Sequence, residues 1–166
     1  MSRWRPPAEK SSPYITAHGA AALRQELTEL WQLRRRDVVP ALSAAAAEGD
    51  RSENAEYIYR KKQLREIDRK IRYLAKRLDC VTIIDRAPPQ RDTVYFGAQV
   101  QLQDGQGAVL NYRIVGADET SAPAHHISID SPLARALLGR SAGDHVRAAL
   151  PGGVAEYDII AIDYPP

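Results

Sequence analysis

Cysteine is nearly absent from this chain: Cys80 is the single thiol in 166 residues, so no internal disulfide can form. One thiol fits a reducing cytosol, and a lone cysteine reads as a small hydrophobe rather than a reactive group. Aromatic residues are sparse as well, at 7% with one Phe, which argues against a single large core and for an elongated part. Long apolar runs are missing. The stretch Ala44 to Ala47 falls far short of the roughly 20 residues a bilayer needs, so no membrane is expected among the partners. The opening MSRWRPPAEKSSP has basic residues but no apolar h-region, which excludes a secretory signal and points to the cytoplasm. Its Pro, Ser and charge content predicts a flexible tail over residues 1–14.

Charge of one sign does not dominate, since the formal net charge is only +2. The distribution is uneven, however. Residues 51–80 hold ten basic against five acidic side chains, whereas residues 81–166 hold six basic against ten acidic. A basic segment joined to an acidic one suggests two surfaces with different partners.

What is present is, first, helical periodicity. From Thr16, a suitable N-cap, the residues Leu23, Leu27, Leu30, Val38, Ala41 and Ala45 recur at heptad-like spacing, interrupted by Arg34. Pro40 lies inside this run and should kink the helix or cost it one hydrogen bond. Gly49 is a natural stop. A second helix should start near Ser52 or Glu53, with Leu64, Ile67, Ile71, Leu74 and Leu78 forming a coiled-coil seam. So short a turn makes the two helices antiparallel. Pairing Leu27 with Leu74 and Leu30 with Ile71 puts the turn near Asp50 and Arg51. At roughly 1.5 Å per residue, Leu23 to Glu48 should rise about 40 Å. Near the turn the seam shrinks to Ala41, Ala44 and Ala45, so the tip should be slender.

The chain thus reads as α+β: a coiled-coil hairpin over 15–80, a Pro-containing link over 81–92, and a β-rich domain over 93–166. In the last part, Ala98–Gln103 and Val109–Val115 read as a β-hairpin around Asp104–Gly107, and Ile127–Ile129 as a short strand. Pro132–Leu138 should be a short helix capped by Asp130 or Ser131, with His145–Leu150 and Val154–Ile162 a final strand pair.

Two clusters could carry chemistry. At the tip, Asp50 and Glu53 stand three residues apart. Hard oxygen ligands on a short turn suit magnesium, which keeps several waters and accepts one or two protein carboxylates. The same spacing also fits a capping box at a helix start. In either case two carboxylates are an incomplete coordination shell, so ligands must come from elsewhere. The second cluster is a stripe, Lys62, Arg65, Arg69, Arg72 and Lys76, offset by two residues from the seam and so turned roughly 160° away from it. It is either a solvated helix face or a surface for phosphate or an acidic protein. His125 and His126 are adjacent while His18 and His145 are remote, so no zinc spacing appears, and no P-loop or nucleophile elbow is present.

The tip and the helix after it, GDRSENAEYIYRKKQLREIDRKIRYLAKRLD, resemble the Gre transcript-cleavage factors, and their GreB branch in particular. ITAHGAAALRQELTELW is similar to that family's first helix and ISIDSPLARALLGRSAGD to its C-terminal domain, so the resemblance runs from Ile15 to Tyr164. It implies an FKBP-like β-sheet domain with a short helix, and no proline isomerisation. It further implies a monomeric factor whose hairpin enters the secondary channel of a backtracked RNA polymerase. There Asp50 and Glu53 would help hold a magnesium ion present only in that complex, so that the polymerase cleaves the nascent RNA 3′ end. By the same resemblance, the stripe Lys62–Lys76 would contact displaced RNA, and Ser128, Asp130 and Pro132 would dock on the polymerase. The alternatives are a channel regulator that inhibits without cleavage, and a prolyl isomerase or chaperone acting through the β-rich domain.

Overall fold

The computed structural model describes residues 9–120 and 125–166. Residues 1–8 of the expected tail lie outside that range. The chain divides into two units, Ala20–Val81 and Met1–Gly19 with Thr82–Pro166.

The first unit is the helical hairpin. It comprises α1 (Ala17–Leu33), a π-helical turn (Arg34–Val38), α2 (Val39–Ala47) and α3 (Ala55–Cys80). Thr16 caps α1 as expected, its Oγ1 accepting the Gly19 N–H at 3.0 Å. Val38, Ile67 and Ile71 form a buried cluster with Leu27, Leu30 and Leu64 packed against it. Leu74 is buried too, and Leu78 half-buried, so the seam lies where the periodicity put it. Ala45 is buried, but Ala44 is exposed, a correction to the expected seam: its side chain projects about 100° around the helix from that of Ala45.

Proline's effect falls just before Pro40 rather than as a break. The Val39 N–H bonds to the Arg34 carbonyl five residues back, the signature of a π turn. Pro40 has no N–H to continue the ladder, and its ring crowds the preceding turn. The wide turn also solves a register problem. From Leu30 through Arg34 to Val38 the seam takes two successive steps of four, which would rotate it off the interface of a regular helix. Widening one turn absorbs the surplus residue, and Val38 ends fully buried. Arg34 remains a polar rung in the seam, its Nε donating to Asp68 on α3 at 2.7 Å.

The second unit holds a five-stranded sheet of order β5-β4-β3-β7-β6 and a separate two-stranded sheet, β1-β2. The strands are β1 (Tyr14–Thr16), β2 (Thr82–Ile84), β3 (Gln99–Asp104), β4 (Val109–Val115), β5 (His126–Ser128), β6 (His145–Leu150) and β7 (Gly153–Asp163). Helix α4 (Pro132–Leu137) covers the core, where Val100, Leu102, Ile114, Leu137 and Ile159 are fully or almost fully buried. Each such side chain contributes roughly 1.5–3 kcal/mol by leaving water. A register shift at Gln101/Leu102 in the β3–β7 pairing adds a local bend.

Two boundaries move. The expected tail ran to residue 14 and the expected link began at 81, yet β1 and β2 pair in parallel, Tyr14 opposite Thr82. Tyr-Ile-Thr and Thr-Ile-Ile are strongly β-forming, and Ile15 is buried, which fastens both segments. Even upstream of β1, the Ser12 N–H donates to Asp130 at 2.9 Å. Cys80, read as a small hydrophobe, is exposed at the end of α3.

The hairpin tip as candidate functional site

The helix after the tip starts later than expected. Its cap is Asn54, whose Oδ1 accepts the Tyr57 N–H at 3.0 Å, and α3 begins at Ala55 rather than at Ser52 or Glu53. The capping-box reading of Asp50 and Glu53 is therefore corrected. Asp50 instead closes a small turn of its own, accepting both the N–H of Ser52 at 2.9 Å and its hydroxyl at 2.8 Å. With the serine hydroxyl committed to Asp50, the capping task passes to Asn54. Sequence reasoning missed Asn54. Its signal was present, because Asn is among the best N-caps and a helical run follows directly. Asn54 also reaches across the tip: its Nδ2 donates to the Ala45 carbonyl at 2.8 Å. One side chain thus starts α3 and satisfies the end of α2.

These bonds free the acids. Asp50 and Glu53 are both exposed, between Gly49 and the first residue of α3. Gly49 adopts φ +120°, open to glycine, which lets the chain leave α2 and enter the loop. The Ser52 backbone bond, and then its side-chain bond, hold the Asp50 carboxyl below its usual range. It stays ionised at neutral pH. Both bonds fall on Asp50 Oδ1, so Oδ2 is the oxygen left for a ligand role, and exposed Glu53 follows three residues on. The donor set fits a hard divalent cation, though only in part. Among the described residues no group of three or more His, Cys, Asp or Glu side chains is arranged to hold a metal ion.

Behind the acids, Lys62, Arg65, Arg69, Arg72 and Lys76 are all exposed along α3, so the stripe is a continuous one-sign face. Of the other basic residues on α3, Lys70 pairs with Glu26 and Arg60 with Glu56, the latter at 2.7 Å. The third set, in the other unit, lies in one turn. Ser128 Oγ accepts the Asp130 N–H at 3.1 Å, and Ser131, not Asp130, caps α4 by accepting the Ala134 N–H at 3.2 Å. Pro132 is exposed at the first turn of α4, while Asp130 is half-buried. No helix among the described residues is long and apolar enough to cross a membrane.

Comparison with known proteins assigns a class. Residues 13–83 match the family model described as transcription elongation factor, N-terminal, and residues 88–164 the one described as transcription elongation factor, GreA/GreB, C-term. The chain belongs to the GreA/GreB family of transcription elongation factors. It is 59% identical to transcription elongation factor GreB of Xanthomonas axonopodis pv. citri over 99% of this chain and 98% of that one. It is 52% identical to transcription elongation factor GreB of Pseudomonas aeruginosa over 100% and 99% respectively. Among solved structures, GreA factor homolog 1 of Thermus thermophilus aligns with 90% of this chain and 97% of that one, at 24% identity and a TM-score of 0.42.

Proposed function

We propose that this protein acts on RNA polymerase as a transcript-cleavage factor, lending Asp50 and Glu53 to the polymerase's own active centre. The observation that carries the reading is the division of labour at the tip. Asn54 does the structural work, and the Asp50 and Glu53 side chains are left facing solvent on a turn. Magnesium, bound jointly by these acids and polymerase ligands, would stabilise charge on the attacking and leaving oxygens of a phosphoryl displacement. The chain's own contributions are then definite. Ser52 orients Asp50 and keeps it ionised, Gly49 turns the chain, and Asn54 fixes the loop between two helices. The seam below supplies a rod stiff enough to deliver them, and Ala45 keeps it narrow. The stripe from Lys62 to Lys76 offers phosphate contacts to RNA. Ser128, Asp130 and Pro132 form a docking turn for the polymerase.

In this reading the free protein is a monomer that carries no complete metal site and is not itself an enzyme. A backtracked elongation complex, supplied with magnesium and this protein, should release short RNA 3′ fragments. Wild-type rates from Asp50→Asn or Glu53→Gln would end the proposal. Inhibited elongation without any cleavage would favour the alternative of a non-cleaving channel regulator.

A further inference from the structure

Residues 9–13 belong to no helix or strand, yet they are tied down at both ends. Downstream, the Pro13 carbonyl accepts the Thr82 N–H at 2.7 Å, and the β1–β2 pairing follows directly. Upstream, Glu9 accepts a bond from Arg135 Nη2 on α4 at 3.0 Å. Between the two, the Ser12 N–H donates to Asp130 Oδ2 at 2.9 Å. The segment is thus a strap fastened to the turn that carries Ser128, Asp130 and Pro132. Its fastenings are unequal. From Pro13 onward it is held by strand pairing, which does not open without the sheet. The Glu9–Arg135 pair, with the two side chains 83% and 56% exposed, is weak and screened by salt. The Ser12 bond, sheltered at half-buried Asp130, is the firmer of the two. Such a strap is biased shut without being locked, and its hinge is Pro13.

The strap occupies what docking needs. Asp130 Oδ2 already accepts the Ser12 N–H, and the Arg135 charge is already met by Glu9. A partner that seeks either group must first displace its strap residue. The strap offers an interface little in exchange: Glu9, Lys10 and Ser11 are exposed, and all three belong to residue types that interfaces are depleted in. We propose that residues 9–12 are an autoinhibitory strap, which holds Asp130 and Arg135 in the free protein and swings off about Pro13 when the turn docks on RNA polymerase. The inference rests on the docking role given to Asp130 under the proposed function. Apparent affinity is then scaled by the fraction of molecules whose strap is open, so a strap open one tenth of the time weakens binding about tenfold. The tip acids take no part in these bonds. The strap therefore governs how much polymerase is occupied, and leaves the rate of the bound complex alone.

The test titrates full-length protein into backtracked polymerase complexes and reads two quantities, the half-saturating concentration for binding and the cleavage rate at saturation. Glu9→Lys sets like charges against each other at Arg135. It should lower the half-saturating concentration about three- to tenfold, with the saturated rate unchanged. The gain should shrink as salt rises, because salt loosens the wild-type strap as well. Amide exchange over residues 10–14 should be faster in free Glu9→Lys than in free wild type, and should quicken in wild type on binding polymerase. Wild-type binding and wild-type exchange in Glu9→Lys overturn the strap. A raised half-saturating concentration, with exchange that slows on binding, also overturns it and makes residues 9–12 part of the interface. Asp130→Ala in the same titration separates the two claims. If it raises the half-saturating concentration while Glu9→Lys has no effect, only the strap fails; if it leaves or lowers that concentration, the docking role of Asp130 fails.

Discussion

Two turns in this molecule are built from the same parts and put to opposite uses. Before α3, an Asp accepts bonds from a Ser two residues on, and Asn54 caps the helix. Before α4, Ser128 accepts from Asp130 two residues on, and Ser131 caps the helix. In the second turn the Asp130 carboxylate is half-buried and consumed internally, because its Oδ2 takes the Ser12 N–H. In the first, the Asp50 carboxylate meets only its own loop and is exposed. Local turn chemistry is thus common to both, and what differs is whether the acid is also bonded to a residue outside its own turn.

The largest effect should therefore come from Asp50, the acid bonded only within its own turn. Asp50→Asn is expected to lower the saturated cleavage rate at least on the order of a hundredfold, since even outer partners of metal ligands cost 10–100-fold. Its urea midpoint should stay near wild type, because a loop carboxylate in water holds no packing. Asp130→Ala should do the reverse: a higher protein concentration for half-maximal cleavage, an unchanged saturated rate, and about 1 kcal/mol lost from stability. If both variants changed the same parameter, the contrast between the turns would be wrong.

Helix caps sharpen the comparison at smaller scale. Asn54→Ala removes a cap worth roughly 0.5–2 kcal/mol and also the bond to Ala45. Ser131→Ala removes a cap alone, so it should cost less. Thermal unfolding ranks the two. Amide exchange over residues 50–54 should quicken in Asn54→Ala, and cleavage should fall several-fold although both acids remain.

How much of this was legible in the sequence depends on whether the cause was local. The hairpin seam, the α4 cap and the strand pair β6–β7 follow from periodicity and turn residues, so Leu27, Leu30, Ile67, Ile71 and Ser131 fall where expected. The β1–β2 pairing joins residues almost a whole hairpin apart, and three-residue strands carry too little alternation to announce it. The π turn was half legible. Pro40 marked the fault, but only the packed seam shows that the wide turn is what buries Val38. At the tip, the acids were visible and their spacing was ambiguous between a cap and a ligand pair. What decides against the cap is Asn54, which lies one residue beyond the pair.

The smallest expected effect concerns an exposed group on the sheet. His145 Nδ1 lies 2.7 Å from Asp158 Oδ1, and its Nε2 lies 3.7 Å from Glu156. The bond to Asp158, reinforced by the charges of Asp158 and Glu156, raises the imidazole above its usual pKa. A histidine raised in the folded state binds its proton more tightly there than when unfolded. Its contribution is fully present below the unfolded value of about 6.5, and is lost as pH rises through the higher folded value. His126 works the other way, since burial, then the charge of His125, lowers it; its contribution is present at higher pH and is lost as pH falls through the unfolded value toward the folded one. The wild-type urea midpoint therefore sums two opposing slopes near neutrality. Subtracting the profile of His145→Gln isolates the first. The difference should favour wild type at pH 5.5 and shrink toward pH 8, whereas a difference that is flat or grows with pH would show that the Asp158 contact gives no preference to the charged ring.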